Sequence, residues 1–265
     1  MNALIEAEFR RLLATRLWLW SLLTAVVLGG GMVGSLTAVG PENFSPPMPG
    51  LETQEGVLSV LGTLGFTVFV PAALGTVAMT SEYRHRTVTF TFLFAPRRRQ
   101  VLIAKLVTFG AAGLVYGLVQ TAGAGVGFFG ALAARGVTPG TATGTVIELL
   151  LRLALTMAVH TLLGVAMGAL IRNHLVALTV VIGYLHLGEL ILMMIPGVNL
   201  LYPLLPGGAT ASLTGFTYLA DVLADELATS PVSLLSPVGG GVLLAGYALV
   251  AAAVAVLVPL RRDVV

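Results

Sequence analysis

Residues 106–134 read LVTFGAAGLVYGLVQTAGAGVGFFGALAA, with no charged side chain from end to end. A hydrocarbon layer of about 30 Å is crossed by roughly 20 apolar residues in a helix, and this run exceeds that length. A helix that is apolar on every side must be buried in a large protein or sit in lipid. On the N-terminal side of this run lie two more such segments, 17–38 and 57–79. On the C-terminal side lie three, 146–171, 175–195 and 238–260. These six spans hold more than half of the chain, which predicts an all-α polytopic membrane protein forming a single transmembrane domain over 1–265.

Composition points the same way. Of 265 residues, 57% are hydrophobic and only 10% charged, whereas soluble domains carry about 25% charged residues. Disorder requires the opposite composition. The balance of 14 Lys+Arg against 12 Asp+Glu leaves a net charge of +2. The isoelectric point of 9.2 therefore reflects arginine side chains rather than a large basic excess, and nucleic-acid binding gains no support from it. The chain has no cysteine, which removes disulfides, thiolate metal sites and cysteine nucleophiles together. It has one lysine, Lys105.

An even number of spans places both termini on one side, and the basic residues say which. Arg10, Arg11 and Arg16 precede the first span, and Arg84, Arg86, Arg97, Arg98, Arg99 and Lys105 lie between the second and third. Arg172 separates the fourth from the fifth, and Arg261 and Arg262 follow the sixth. Positive loops stay in the cytoplasm, so both termini are expected there, in a cytoplasmic membrane. The opposite loops carry Glu42, Glu52, Glu55, Asp221, Asp225 and Glu226 against the single base Arg135. The run 17–38 is longer than the roughly 7–15 apolar residues of a cleavable signal and is read as a retained span. Before it, Ile5, Phe9 and Leu12 fall at helical spacing with Glu6 and Arg10 off the stripe, and Trp18 and Trp20 follow. That pattern predicts an interfacial helix over 2–16, the alternative being an ordinary charged flank.

The outer loop 40–56 holds Pro41, Pro46, Pro47 and Pro49 and is expected to be an irregular connector. Its Asn43-Phe44-Ser45 triplet fits a glycosylation pattern that means little by itself. In the outer segment 196–237, Leu213, Phe216, Ala220, Leu223 and Leu227 recur at steps of three and four. They predict one amphipathic helix on the outer face, the alternative being a structured loop that caps the bundle.

The inner loop 80–100 reads Ser81-Glu82-Tyr83-Arg84-His85-Arg86-Thr87, then an apolar turn, then Ala95-Pro96-Arg97-Arg98-Arg99-Gln100. Ser81 is expected to start a short helix and Pro96 to end it. A short helix of mixed charge at the cytoplasmic surface suits docking of another protein. A basic anchor on anionic lipid is the alternative for the arginines. The Ser-Glu-Tyr-Arg run after the second span, Thr87, the Pro96-Arg97 pair and Lys105 at the start of the third span resemble the type-2 ABC transporter permease family. The resemblance covers the whole chain in layout and residues 81–105 in motif. One departure is Arg86, where the family often carries glycine. The resemblance implies six spans, an N-terminal interfacial helix, cytoplasmic termini and a partly helical outer segment. It also implies a second permease chain and cytoplasmic ATP-binding-cassette subunits, with ATP and magnesium on those subunits and no cofactor on this one. Ser81, Glu82, Tyr83, Arg84, Arg86 and Thr87 would touch the ATPase, together with the N-terminal helix and Arg172-Asn173-His174. Most relatives export drugs, antibiotics, lipids or glycans.

The residues themselves limit the chemistry. A P-loop needs a lysine directly after glycine and before Ser or Thr, and the sole lysine sits in Ala104-Lys105-Leu106. Hydrolysis of ATP through a P-loop on this chain is excluded. Gly125, Gly127 and Gly130 match a dinucleotide-binding pattern but lie inside an apolar span rather than after a strand. Gly30/Gly34, Gly123/Gly127 and Gly164/Gly168 are spaced by four, which suits close helix packing. No G-x-S-x-G or H-E-x-x-H motif is present, which leaves a membrane enzyme with an unfamiliar site as a weakly supported alternative; the resemblance implies a transport subunit rather than an enzyme. A self-sufficient secondary transporter or channel is the competing class.

Polar groups within the spans are costly without partners. Arg152 and Glu189 each fall about 9 Å below the outer boundary at about 1.5 Å per residue, on spans joined by a short turn. An Arg152–Glu189 pair is therefore expected, with Glu148 as the competing partner of Arg152. His186 and Glu189 lie three apart and could begin a metal site, but nothing completes one and none is expected. Gln120, His160 and His186 are read as polar contacts between helices.

Overall fold

The computed structural model describes residues 1–84, 98–171, 173–227 and 232–257, apart from the side chains of Arg98, Leu185 and His186. Helix α1 spans Asn2–Ala14, and a turn at Thr15 and Arg16 separates it from α2, Leu17–Val39. Helices α3 (Gln54–Arg84), α4 (Arg98–Arg135) and α5 (Thr143–Leu170) follow. Helix α6 runs over 174–193 as α-helix His174–Gly183, π-helix Tyr184–Gly188 and α-helix Glu189–Met193. Two short helices, α7 (Pro206–Thr214) and α8 (Tyr218–Leu227), precede α9 (Pro237–Leu257). There is no strand among the described residues. Among the described residues, five helices are long and apolar enough to cross a membrane: α2, α3, α4, α5 and α9. Several long apolar helices in one chain make this a multi-pass membrane protein.

The helices extend past the apolar runs because backbone hydrogen bonding does not stop where charge begins. Helix α4 starts eight residues before Leu106, carrying Arg99, Gln100 and Lys105 on its first turns. Helix α3 starts at Gln54, where Thr53 caps it by accepting from the Gly56 N–H at 3.0 Å. It continues through Arg84, so Ser81 lies inside a helix rather than opening a new one. The helix expected to end at Pro96 falls on residues 85–97, outside the described residues.

Helix α5 is the centre of the bundle, packed along α3 and α4 and touched by α9. Helix α2 lies on α4, and α6 leans mainly on α3. The outward faces of α2 and α9 carry exposed Leu19, Trp20, Leu23, Val242, Leu249 and Val250, as lipid contact requires. Two of the spacing-four glycine pairs meet each other. Gly30 and Gly34 on α2 face Gly123 and Gly127 on α4 so closely that a Cβ on Gly127 would collide with the Gly30 carbonyl. The third pair, Gly164/Gly168 on α5, packs against α3, where a Cβ on Gly164 would strike the Ala72 carbonyl. These contacts are within one chain. Between α2's ordinary turns, Val27–Met32 forms a π-helix through Gly29, Gly30 and Gly31, a widened turn at the point of closest approach.

The single amphipathic helix expected through Leu213–Leu227 is two helices. Gly215, at φ 71°, ends α7 in the left-handed region that glycine favours. Helix α7 is almost wholly buried and packs on α9, while α8 keeps an exposed acidic face with Asp221 and Asp225. At this end of the bundle Arg135 reaches Glu42 at 2.7 Å and the Thr37 carbonyl at 2.9 Å. The Glu42 backbone N–H, together with the Arg135 guanidinium, holds that carboxyl below the usual carboxylate range.

Candidate functional site

Two polar assemblies stand out in an otherwise apolar molecule. The first lies at the basic end. Glu8 occupies the inward side of α1, close to Ile5 and Leu12 on the helical wheel, and is only 5% exposed. Lys105, on the second turn of α4, is 1% exposed. Its ammonium donates to Glu8 Oε2 at 2.8 Å, and it pairs with Glu82 Oε1 at 2.6 Å. Glu82, near the end of α3, is 7% exposed and also accepts from Arg11 Nη1. Arg11 in turn reaches Glu8 Oε1 at 3.3 Å. Two carboxylates and two cations thus alternate, and each buried charge faces an opposite one. The knot ties α1, the end of α3 and the start of α4 together. Beneath it Met79, Leu102 and Phe109 form an apolar floor with Leu12 and Tyr83 against it.

This geometry corrects one expectation. Glu82 was expected on a partner-facing surface, but it is turned inward onto Lys105 and Arg11 because a buried lysine requires a counter-charge. Arg84 is exposed, and Ser81 and Tyr83 are half-buried. Arg86, Thr87 and Arg172 lie outside the described residues. Close by, Thr80 Oγ1 lies 2.7 Å from His174 Nδ1, joining the end of α3 to the start of α6. Asn173 caps α6 through its side-chain oxygen, which accepts from the Leu175 and Val176 N–H groups.

The sequence does not mark Glu8, Arg11 and Lys105 as members of one knot. Glu8 is an acid on the apolar stripe of α1, and Lys105 is an isolated charge just before an apolar run. Both are signals of buried pairing, but neither names its partner.

The second assembly lies toward the acidic end. Glu189, at the junction of α6's π-turn and its last turn, is 4% exposed. Its Oε2 accepts from the Gly207 N–H at 2.7 Å. The carboxylate therefore sits on the N-terminus of α7, where free N–H groups favour negative charge. A Cβ on Gly207 would meet Glu189 Oε2, so glycine is what admits the carboxylate. The expected Arg152–Glu189 pair is not formed. Arg152 pairs with Glu148 one turn earlier on its own helix, a spacing and order that favour the contact. Helix α6 leans on α3 more than on α5, which turns Glu189 toward α7.

Of the remaining polar groups, Gln120 Nε2 donates to Thr67 Oγ1 at 2.7 Å, joining α4 to α3. His160, expected to contact another helix, instead has Nδ1 2.9 Å from the Thr156 carbonyl one turn back on its own helix. The His186 side chain lies outside the described residues. No group of three acidic or histidine side chains suited to a metal is found among the described residues.

Comparison with known proteins adds no family. No protein-family model matches the chain, and no curated protein matches it significantly. A functional reading therefore rests on the two assemblies and on the motif around residues 81–105.

Proposed function

We propose that this chain is the permease subunit of an ATP-binding-cassette exporter, moving a hydrophobic or amphipathic substrate across the cytoplasmic membrane. The observation that carries the reading is the ion-pair knot of Glu8, Arg11, Glu82 and Lys105. It joins the N-terminal helix to both ends of the stretch that bears the Ser-Glu-Tyr-Arg motif. Force applied to the loop after Arg84 would pass through this knot into α3 and α4 as a unit. The same knot engages the sole lysine between two carboxylates, leaving no lysine for a phosphate-binding loop. A separate subunit then supplies the hydrolysis, with ATP and magnesium bound there.

In this reading α6 completes a set of six spans, its π-turn continuing the helix to Met193. Both termini and the loop after Arg84 face the cytoplasm, and α7 and α8 form the outer cap. A second permease chain, identical or different, lines the path with this one. Arg84, the exposed member of the motif, touches the ATPase, while Glu82 acts from behind it by holding α1 and α4.

The test is reconstitution in liposomes of the chain alone and with an ATPase encoded beside it. Export of a fluorescent amphipathic dye is expected only with the ATPase and ATP. Flux at full rate from the chain alone, driven by a proton or sodium gradient, would overturn the proposal in favour of a secondary transporter. Arg84→Glu is expected to reduce ATPase co-purification while leaving the melting temperature unchanged.

A further inference from the structure

We infer that the cavity beside Glu189 binds the ammonium group of an amphipathic organic amine. The inference rests on the export reading above and names its class of cargo. The cavity encloses about 140 Å³, comparable to the roughly 150 Å³ that accommodates a benzene ring in a protein interior. It lies between α3, α6, α7 and the start of α8, lined among others by Phe66, Glu189, Met193, Tyr202, Gly207 and Phe216.

Among the described residues lining it, Glu189 is the only Asp, Glu, Lys, Arg or His. One carboxylate oxygen, Oε2, is held by α7. The other, Oε1, is buried and has no hydrogen-bond partner among the described residues. Capping α7 therefore accounts for half of the carboxylate and leaves the other half. No Arg, Lys or His forms an ion pair with Glu189 among the described residues. The hydroxyls of Thr210 and Thr214, also on the wall, donate to carbonyls of their own helix, Pro206 and Thr210, at 2.9 Å each. A buried carboxylate oxygen without a donor is expensive, and a cation placed against it removes that cost.

The rest of the wall says which kind of cation. A hard metal ion takes about six oxygen ligands, and this wall offers one carboxylate. An organic ammonium needs one counter-charge and apolar or aromatic surface for its carbons. Phe66 and Phe216 supply that surface. They meet edge to face at 5.5 Å and 89°, and ring faces attract alkylammonium groups. Gly62 makes room for Phe216, whose ring a Cβ there would strike.

The experiment uses the full chain in lipid nanodiscs and benzyltrimethylammonium, a permanently charged probe, measured by calorimetric titration. Saturable binding is expected. Glu189→Gln keeps an oxygen for the Gly207 N–H but removes the charge, and should weaken binding at least about tenfold, as expected for loss of a desolvated charge partner. Glu189→Asp should retain part of the affinity. Equal affinity of wild type and Glu189→Gln, or no saturable binding by wild type, would overturn the inference. If Glu189→Gln does not fold, protection of wild-type Glu189 from dicyclohexylcarbodiimide by the probe gives a second readout, and absence of protection overturns it. Binding is read without any ATPase. Loss of the amine site leaves the permease reading standing, and absence of ATP-driven flux leaves the amine site standing.

Discussion

Lys105 Nζ lies 2.8 Å from Glu8 Oε2, so the sole lysine of the chain is bonded to a residue 97 positions earlier. Glu82 closes the same contact from a third helix at 2.6 Å. Removing the ammonium would leave two buried carboxylates sharing the half-exposed Arg11 alone within this knot. Lys105→Met should cost ~3–5 kcal/mol, the usual cost of breaking a buried pair, and should release α1. Melting in detergent and trypsin cleavage at Arg10 or Arg11 report the two effects. The double change Glu8→Gln with Lys105→Met should recover part of the loss, and no recovery would mean that the pairing is not what holds α1.

Gly30 and Gly123 face each other across α2 and α4, with a Gly30 Cβ position 3.1 Å from the Gly123 carbonyl oxygen. Because the native chain has no cysteine, Gly30→Cys combined with Gly123→Cys carries no background thiols. Mild oxidation should join the two within one molecule. The product should migrate as a monomer of altered mobility on denaturing gels. A crosslinked dimer as the main product would show that these glycines face a second copy instead.

The Glu42–Arg135 pair links the start of the loop after α2 to the end of α4. The Glu42 pKa lies below its ordinary 4.5, held there by its backbone N–H and by Arg135. Its contribution is therefore fully present above about pH 4.5 and fades as pH falls through the lowered value. The pair is partly exposed, so the effect is under about 1 kcal/mol. Wild type should melt slightly above Glu42→Gln at pH 7, and the two curves should converge as pH falls below the lowered Glu42 pKa. A gap that widens on acidification would contradict the assignment.

Arg152 is paired with Glu148, not with Glu189. Exchanging the charges within α5, Glu148→Arg with Arg152→Glu, should preserve assembly. The exchange Arg152→Glu with Glu189→Arg should fail, because it puts a cation on the N-terminal N–H groups of α7. Expression level and size-exclusion profile distinguish the two outcomes. Equal rescue by both exchanges would refute the geometry described here.

Much of the bundle was legible from the sequence because lipid imposes a length rule on every crossing. The run 17–38 became Leu17–Val39, 146–171 became Thr143–Leu170, and 238–260 corresponds to Pro237–Leu257. The spacing-four glycines marked surfaces of close approach, since a missing Cβ is visible in any sequence. Which glycines would meet was not visible, because that depends on how α2 lies across α4. The helix expected through residues 213–227 failed at Gly215, where one left-handed residue turns the chain and outweighs a regular apolar stripe.

The charged residues divide along the same line. Sequence alone determined that this chain belongs in a membrane and that it carries no P-loop. Those properties are sums over residues or local spacings, and they hold whatever the helices do next. Only the tertiary structure decided that Glu82 and Lys105 belong to one knot with Glu8, and that Glu189 turns to α7 with one oxygen left over. Partner choice among buried charges is set by how helices far apart in sequence are laid side by side, and where desolvation is costly the nearest well-placed opposite group prevails over the one that linear distance suggests.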